Sequence, residues 1–282
     1  MMRMARSIPS PPIEGGTIMS ISRIWKRPPF IKSPMLRWGI AVGGTIYLAL
    51  ALGTMEVNWG RVADGLPRAE RFVSAFFPPD FISKSGDILD GIYESLWMTV
   101  VSTVIGIGLS IPVGLGAARN LAPRPVYLFS RGILAVSRTF PEIIIALFAV
   151  KIFSFGPFAG IIALSVGTVG FYGKLLAEDI EDMNVVQAEA VKSTGASWFQ
   201  WLNYAIQPQV MPRMIGLAMY RFDINFRESA VVGIVGAGGI GATLLTSFDR
   251  YEYDTSAAIL LIIIAIVMAV EYSSGYVRKW VQ

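Results

Sequence analysis

Apolar positions in this chain fall in long runs with few or no charges, and most of the polar and charged positions lie in the stretches between them. Residues 38–55 give 18 positions without a charge and residues 95–118 give 24, each enough for a helix through a hydrocarbon layer about 30 Å thick. A third apolar segment, 126–150, carries Arg131, Arg138 and Glu142, and a fourth, 152–173, follows the short FSFGPF turn. The fifth, 211–248, is 38 residues long and interrupted by charge, and the sixth, 255–277, ends at Arg278 and Lys279. Between the first two segments lies a mixed aromatic and charged stretch that suits an extracytoplasmic loop with an interfacial helix. The longest polar insertion is 178–209.

Composition agrees with a chain built for lipid. Only 16% of residues are charged and 54% are hydrophobic, with a mean hydropathy of +0.55, whereas soluble domains carry roughly 25% charged residues. The net charge of +4 forms no stripe with interleaved aromatics, which argues against nucleic acid; it reads as topology. Seven basic residues (Arg3, Arg6, Arg23, Lys26, Arg27, Lys32 and Arg37) precede the first segment, so the N-terminus is expected in the cytoplasm. Six crossings then return the C-terminus to the same side, with Arg119, Arg124 and the 178–209 insertion. Counting 211–248 as two crossings would put Arg278 and Lys279 outside, so it is expected to cross once with irregular backbone. The division that follows is a basic, proline-rich tail (1–35), a first helix with its loop (36–86) and a transmembrane domain (87–282). Cysteine and histidine are absent, which excludes thiol nucleophiles, Cys/His metal sites and a Ser-His-Asp triad from this chain.

The stretch GAGGIG, residues 236–241, has the G-x-G-x-x-G spacing of a dinucleotide-binding turn. That motif needs a strand before it, a helix after it and an acidic residue about 20 positions on. Here that distance lands in an apolar run with no carboxylate between Asp254 and Glu271, so a membrane-embedded NAD enzyme is excluded. Inside a membrane, broken backbone is tolerated only where protein or water covers its polar groups. Gly236, Gly238 and Gly239 therefore either pack one helix against another or form a break lining a transport route.

Residues 189–212, EAVKSTGASWFQWLNYAIQPQVMP, place Glu189, Ala190, Gly195, Ile206 and Pro208 in the order E-A-x(4)-G-x(10)-I-x-P. A helix is expected over NVVQAEAVKST, stopped at Gly195, and a second over ASWFQWLNYAIQ, ending before Pro208. Trp198, Phe199, Trp201, Leu202 and Ile206 give the second more apolar surface than a loop leaves in water; it either lies at the membrane interface or docks. The spacing and topology together resemble the EAA loop of ABC importer permeases. Within that family, RTFPEIIIALF (138–148), FGPFAGIIALSVGTVGFYGKLLAEDIE (155–181) and FRESAVVGIVGAGGIG (226–241) resemble phosphonate and phosphate-ester permeases, and the resemblance runs from about Asp87 to the C-terminus.

The resemblance implies an all-α membrane protein with six transmembrane helices in the type I (MetI-like) permease fold, in the bacterial inner membrane. It implies a homodimer, two ATPase subunits that seat on Glu189, Ala190, Gly195, Ile206 and Pro208, and an extracytoplasmic binding protein that delivers phosphonate or phosphate. The chain has no G-x(4)-G-K-[ST], so ATP and Mg are left to the partner, and the chain itself is expected to need no cofactor and to catalyse nothing. The alternatives are a permease for another small solute such as methionine, or an ion-gradient transporter, which would normally carry two repeated halves. Arg138, Glu142, Arg221, Asp223, Arg227 and Glu228 lie within the spans, where a central charge costs about 2.5–3.5 kcal/mol. They either pair, Arg138 with Glu142 four residues on and the α-helical neighbours among 221–228 with each other, or the arginines line an anion route with Glu142, Glu228 and the three glycines beside them. In an unbroken helix from Val126, Arg138 would lie about 18 Å in.

Overall fold

The computed structural model describes residues 31, 33–54 and 58–281, and among them the only regular structure is helical. The helices are α1 (Pro34–Thr54), α2 (Trp59–Ser74), α3 (Ser85–Ala117), α4 (Arg124–Thr139), α5 (Glu142–Phe153), α6 (Pro157–Glu181), α7 (Val185–Ser193), α8 (Trp198–Trp201), α9 (Gln207–Val232), α10 (Gly239–Asp249) and α11 (Tyr253–Val281). Two π-helical turns, Leu202–Ile206 and Gly233–Ala237, flank α9. The basic tail lies almost wholly outside the described residues. The chain divides into a unit ending at Asp64, which holds α1, and a second unit from Gly65 onward; α1 buries none of its residues within its own unit.

Among the described residues, α1, α3, α6 and most of α11 are long and apolar enough to cross a bilayer singly. Two bent pairs bring the number to six if each pair is one crossing: α4 with α5, bent by 91°, and the Trp198–Ala237 run with α10, bent by 55°. The first bend corrects the expectation of one helix over 126–150. Phe140 is extended (φ −99°, ψ 127°) and Pro141 follows it, because a proline ring clashes with a helical residue before it and supplies no N–H.

Pro208 does the opposite of what its residue type suggests. The second insertion helix does not stop there; it passes through Leu202–Ile206 into α9, with Pro208 in the first turn of α9. A first-turn proline lacks only an N–H that would be orphaned anyway, and the wider π-turn before it loosens the ladder.

Within the second unit α6 is the most buried spanning helix. One apolar core gathers Leu134, Tyr172, Leu176, Ile180, Ile206 and Met214. A second joins Met98, Ala146, Leu164 and Val232, and a third joins Ile88, Ile240, Leu244 and Ile259. Outward positions such as Leu109, Ile111, Leu261 and Ile264 are exposed and apolar, as lipid-facing positions are.

Candidate translocation site

The middle of the second unit is a polar network on α3, α5, α6 and α9. Asn225, fully buried, donates through Nδ2 to Thr103 Oγ1 at 2.8 Å and to Thr168 Oγ1 at 3.0 Å. Arg221 Nε donates to the same Thr168 oxygen at 3.1 Å, and the Thr168 hydroxyl donates to the Leu164 carbonyl at 2.7 Å. One donor and two acceptor sites are all a hydroxyl has, so Thr168 is saturated. Arg221 Nη2 lies 3.4 Å from Glu142 Oε1 and 3.3 Å from Glu228 Oε2, and its guanidinium sits over the Phe171 ring at 5.6 Å. Gly167 of α6 leaves the room for this: a methyl there would lie 2.6 Å from Glu142 Oε1 and 2.7 Å from Arg221 Nη2.

These contacts sort the charged candidates. Arg138 and Glu142 do not share a helical face, because the Phe140–Pro141 break lies between them, and Glu142 turns instead to Arg221. The 18 Å depth derived for Arg138 from an unbroken helix fails with it. Arg221 is 3% exposed and engaged by two carboxylates, so an anion cannot reach it as the network stands. Arg227 pairs with Asp223 at 2.5 Å while its own side chain stays 47% exposed, and Asp223 Oδ1 has no hydrogen-bond partner among the described residues. Arg138 is exposed, with no ion-pair partner among the described residues.

The glycine run is a break in the backbone. Gly236, Gly238 and Gly239 have φ of 96°, 78° and 72°, a region costly for side chains with a Cβ. The break frees the first N–H groups of α10, and α3 satisfies them: Glu94 Oε2 accepts from Gly239 N at 2.7 Å and Ser95 Oγ accepts from Ile240 N at 2.9 Å. Gly236 packs under Phe155, and its carbonyl accepts from Gly156 N at 3.0 Å. The run thus both breaks the helix and packs closely; Gly239 also borders a cavity of about 300 Å³ with Lys84, Asp90, Glu94 and Arg250. Sequence reasoning missed Glu94 and Ser95. Their signal was a carboxylate at the edge of an uncharged run, without a stated partner.

At the other end, α7 is capped by Asn184, whose Oδ1 accepts from Val186 N and Gln187 N, and it stops at Gly195 with φ 81°. Trp201 turns inward, its Nε1 donating to the Ala188 carbonyl at 2.8 Å. Trp198, Phe199, Val186 and Tyr204 remain exposed, and so do Glu189 and Ala190. Ile206 is 2% exposed and belongs to the chain's own core with Met214 and Leu176; Pro208 is exposed.

Residues 110–282, more than half of the chain, match the family described as "Binding-protein-dependent transport system inner membrane component". The chain belongs to this family. Members of this family are permease components of ABC importers, which are transport proteins. A "Phosphate-import permease protein PhnE" of Mycolicibacterium smegmatis is 41% identical over 72% of this chain, though the match spans only 38% of that protein. A "Phosphite transport system permease protein PtxC" of Stutzerimonas stutzeri is 37% identical over 86% of each chain. In fold, the permease resembles the inward-facing MetNI methionine ABC transporter, with a TM-score of 0.63 over 71% of this chain and all of that one, at 23% identity. The methionine likeness is one of fold alone.

Proposed function

We propose that this permease carries phosphorus oxyanions, phosphonate or phosphate among them, through a homodimer driven by two ATPase subunits and supplied by an extracytoplasmic binding protein. The observation that carries the reading is a charged surface inside membrane-spanning elements, with Arg138 of α4 and Arg227 of α9 exposed and Lys174 of α6 half-buried. Such groups face water or protein and not lipid, which fits a passage closed by a second copy. The names of the relatives favour a phosphorus anion, and the guanidinium fork matches two oxygens of a tetrahedral oxyanion.

The exposed surface of α7, α8 and the first π-turn, with Phe199 and Val186 outward, is the face for the ATPase subunit, a helix-in-groove contact. Glu189, Ala190 and Gly195 shape it; Ile206 anchors it from inside. The helical run from Trp198 to Ala237 joins this face to the glycine break, so closure of ATP-loaded partners moves the two ends together. The termini are cytoplasmic, and the permease holds no cofactor, ATP and Mg being bound by the partner.

Reconstitution of the permease with its ATPase and binding protein tests this. ATP-dependent uptake of phosphate, phosphite or methylphosphonate is expected; uptake of methionine in place of all three would overturn the substrate class, and uptake without the ATPase would overturn the drive.

A further inference from the structure

Between α4 and α6 lies a groove of about 400 Å³ lined by Arg131, Leu134, Ala135, Arg138, Thr139 and Lys174. Three cations face it, and no carboxylate is among its lining residues. Two of the three are tethered at its margin. Arg131 donates from Nε to the Ala117 carbonyl and from Nη2 to Glu181 Oε1, both at 2.8 Å. Lys174 lies 3.4 Å from Glu178 and is 38% exposed. Arg138 has neither an ion pair nor a side-chain hydrogen bond among the described residues, and its stem is seated: a methyl on Gly170 of α6 would lie 2.8 Å from Arg138 Cγ and 2.6 Å from Ser137 Oγ. The arginines stand at 124, 131 and 138, seven apart and so near one face of α4.

A cation within a membrane crossing and without a counter-charge is costly, and Arg138 is in that position among the described residues, since Glu181 and Glu178 serve Arg131 and Lys174. We propose that this groove is a binding station for a tetrahedral phosphorus oxyanion. Arg138 takes two oxygens through its guanidinium fork, Lys174 a third, and Thr139 offers a hydroxyl. Arg131 supplies field at the rim. Arg221, the more buried arginine, is ruled out of this role by its two glutamates. The assignment rests on the proposed transport of phosphorus anions and adds where the anion pauses. A lipid headgroup phosphate has the same chemistry, so the test must separate the two.

The experiment is ATP-driven uptake of inorganic phosphate, phosphite and methylphosphonate by the full transporter, with saturated binding protein, in phosphatidylcholine vesicles with and without phosphatidylglycerol. Arg138→Met and Lys174→Met are each expected to cut turnover about tenfold or more, the scale of a lost charge-assisted hydrogen bond, with the ATPase still co-purifying. Arg138→Lys, which keeps charge and loses the fork, should recover part of the loss, and Gly170→Ala, which displaces the Arg138 stem, should fall between. Unchanged turnover in Arg138→Met, or equal failure of Arg138→Lys and Arg138→Met, overturns the station. Wild-type turnover that collapses without phosphatidylglycerol to the level of Arg138→Met assigns the groove to lipid and also overturns it. A wild type that moves none of phosphate, phosphite and methylphosphonate overturns the proposed function and removes the basis of this inference with it.

Discussion

Gly167→Ala is the most direct probe of the central network. The added methyl would stand 2.6 Å from Glu142 Oε1, 2.7 Å from Arg221 Nη2 and 2.8 Å from Glu142 Cγ, where ordinary contact begins at 3.4 Å. The carboxylate oxygen must withdraw by 0.8 Å (3.4 − 2.6) and the nitrogen by 0.7 Å (3.4 − 2.7). Their present separation is 3.4 Å, so the pair opens beyond hydrogen-bonding range. Arg221 keeps Glu228 and Thr168, which limits the loss to that of one charge-assisted contact, about 1.5–3 kcal/mol. Alanine returns about 0.5–1 kcal/mol of helix propensity, leaving a net loss of about 0.5–2.5 kcal/mol. Thermal unfolding of the purified permease in detergent should show the midpoint lowered by roughly 1–10 °C. In Glu142→Ala the obstructing carboxylate is gone, so adding Gly167→Ala should then cost less than about 0.5 kcal/mol. A Gly167→Ala variant as stable as the parent, or a double variant in which the two losses simply add, would refute the reasoning.

Thr168→Val keeps the shape and removes the hydroxyl on which Asn225 and Arg221 converge; a loss of about 1–3 kcal/mol is expected in the same unfolding assay, and a neutral result would mean those donors have other partners. Glu94→Ala should orphan the Gly239 N–H at the break and raise amide exchange at the start of α10, whereas Glu94→Gln, still an acceptor, should leave exchange close to the parent level. Phe199→Ala should weaken co-purification of the ATPase without lowering the permease midpoint, while Trp201→Leu, which loses the bond to the Ala188 carbonyl, should destabilise the α7–α8 corner by about 1 kcal/mol; identical behaviour of the two would contradict their opposite orientations. Gly195→Val forces a β-branched residue to a φ of 81° at a cost of about 1–3 kcal/mol, and uptake is the readout.

What the sequence by itself determined was whatever depends on near neighbours along the chain. Uncharged runs long enough to cross a bilayer located α1, α3, α6 and α11 to within several residues at one or both ends, because burial in lipid constrains each run separately. Gly195 and the 236–239 glycines marked places where φ turns positive, since few other residues tolerate it. The E-A-x(4)-G spacing and the flanking passages were enough to name the family. Pro141 interrupts the apolar run 126–150, whose length alone predicts one helix where two meet at 91°. Tertiary structure alone decided the partners. Sequence spacing offered Glu142 to Arg138; the bend delivers it to Arg221, 79 positions away. Pro208 ends a helix in isolation yet begins one here, because the π-turn and the core around Ile206 and Met214 hold the chain straight. Glu94 and Ser95 carry no motif, and only the approach of α3 to the broken end of α10 makes them caps. The physical reason is common to all three: in a low-dielectric interior every freed N–H and every charge must find a partner, and which partner is within reach depends on packing among distant elements.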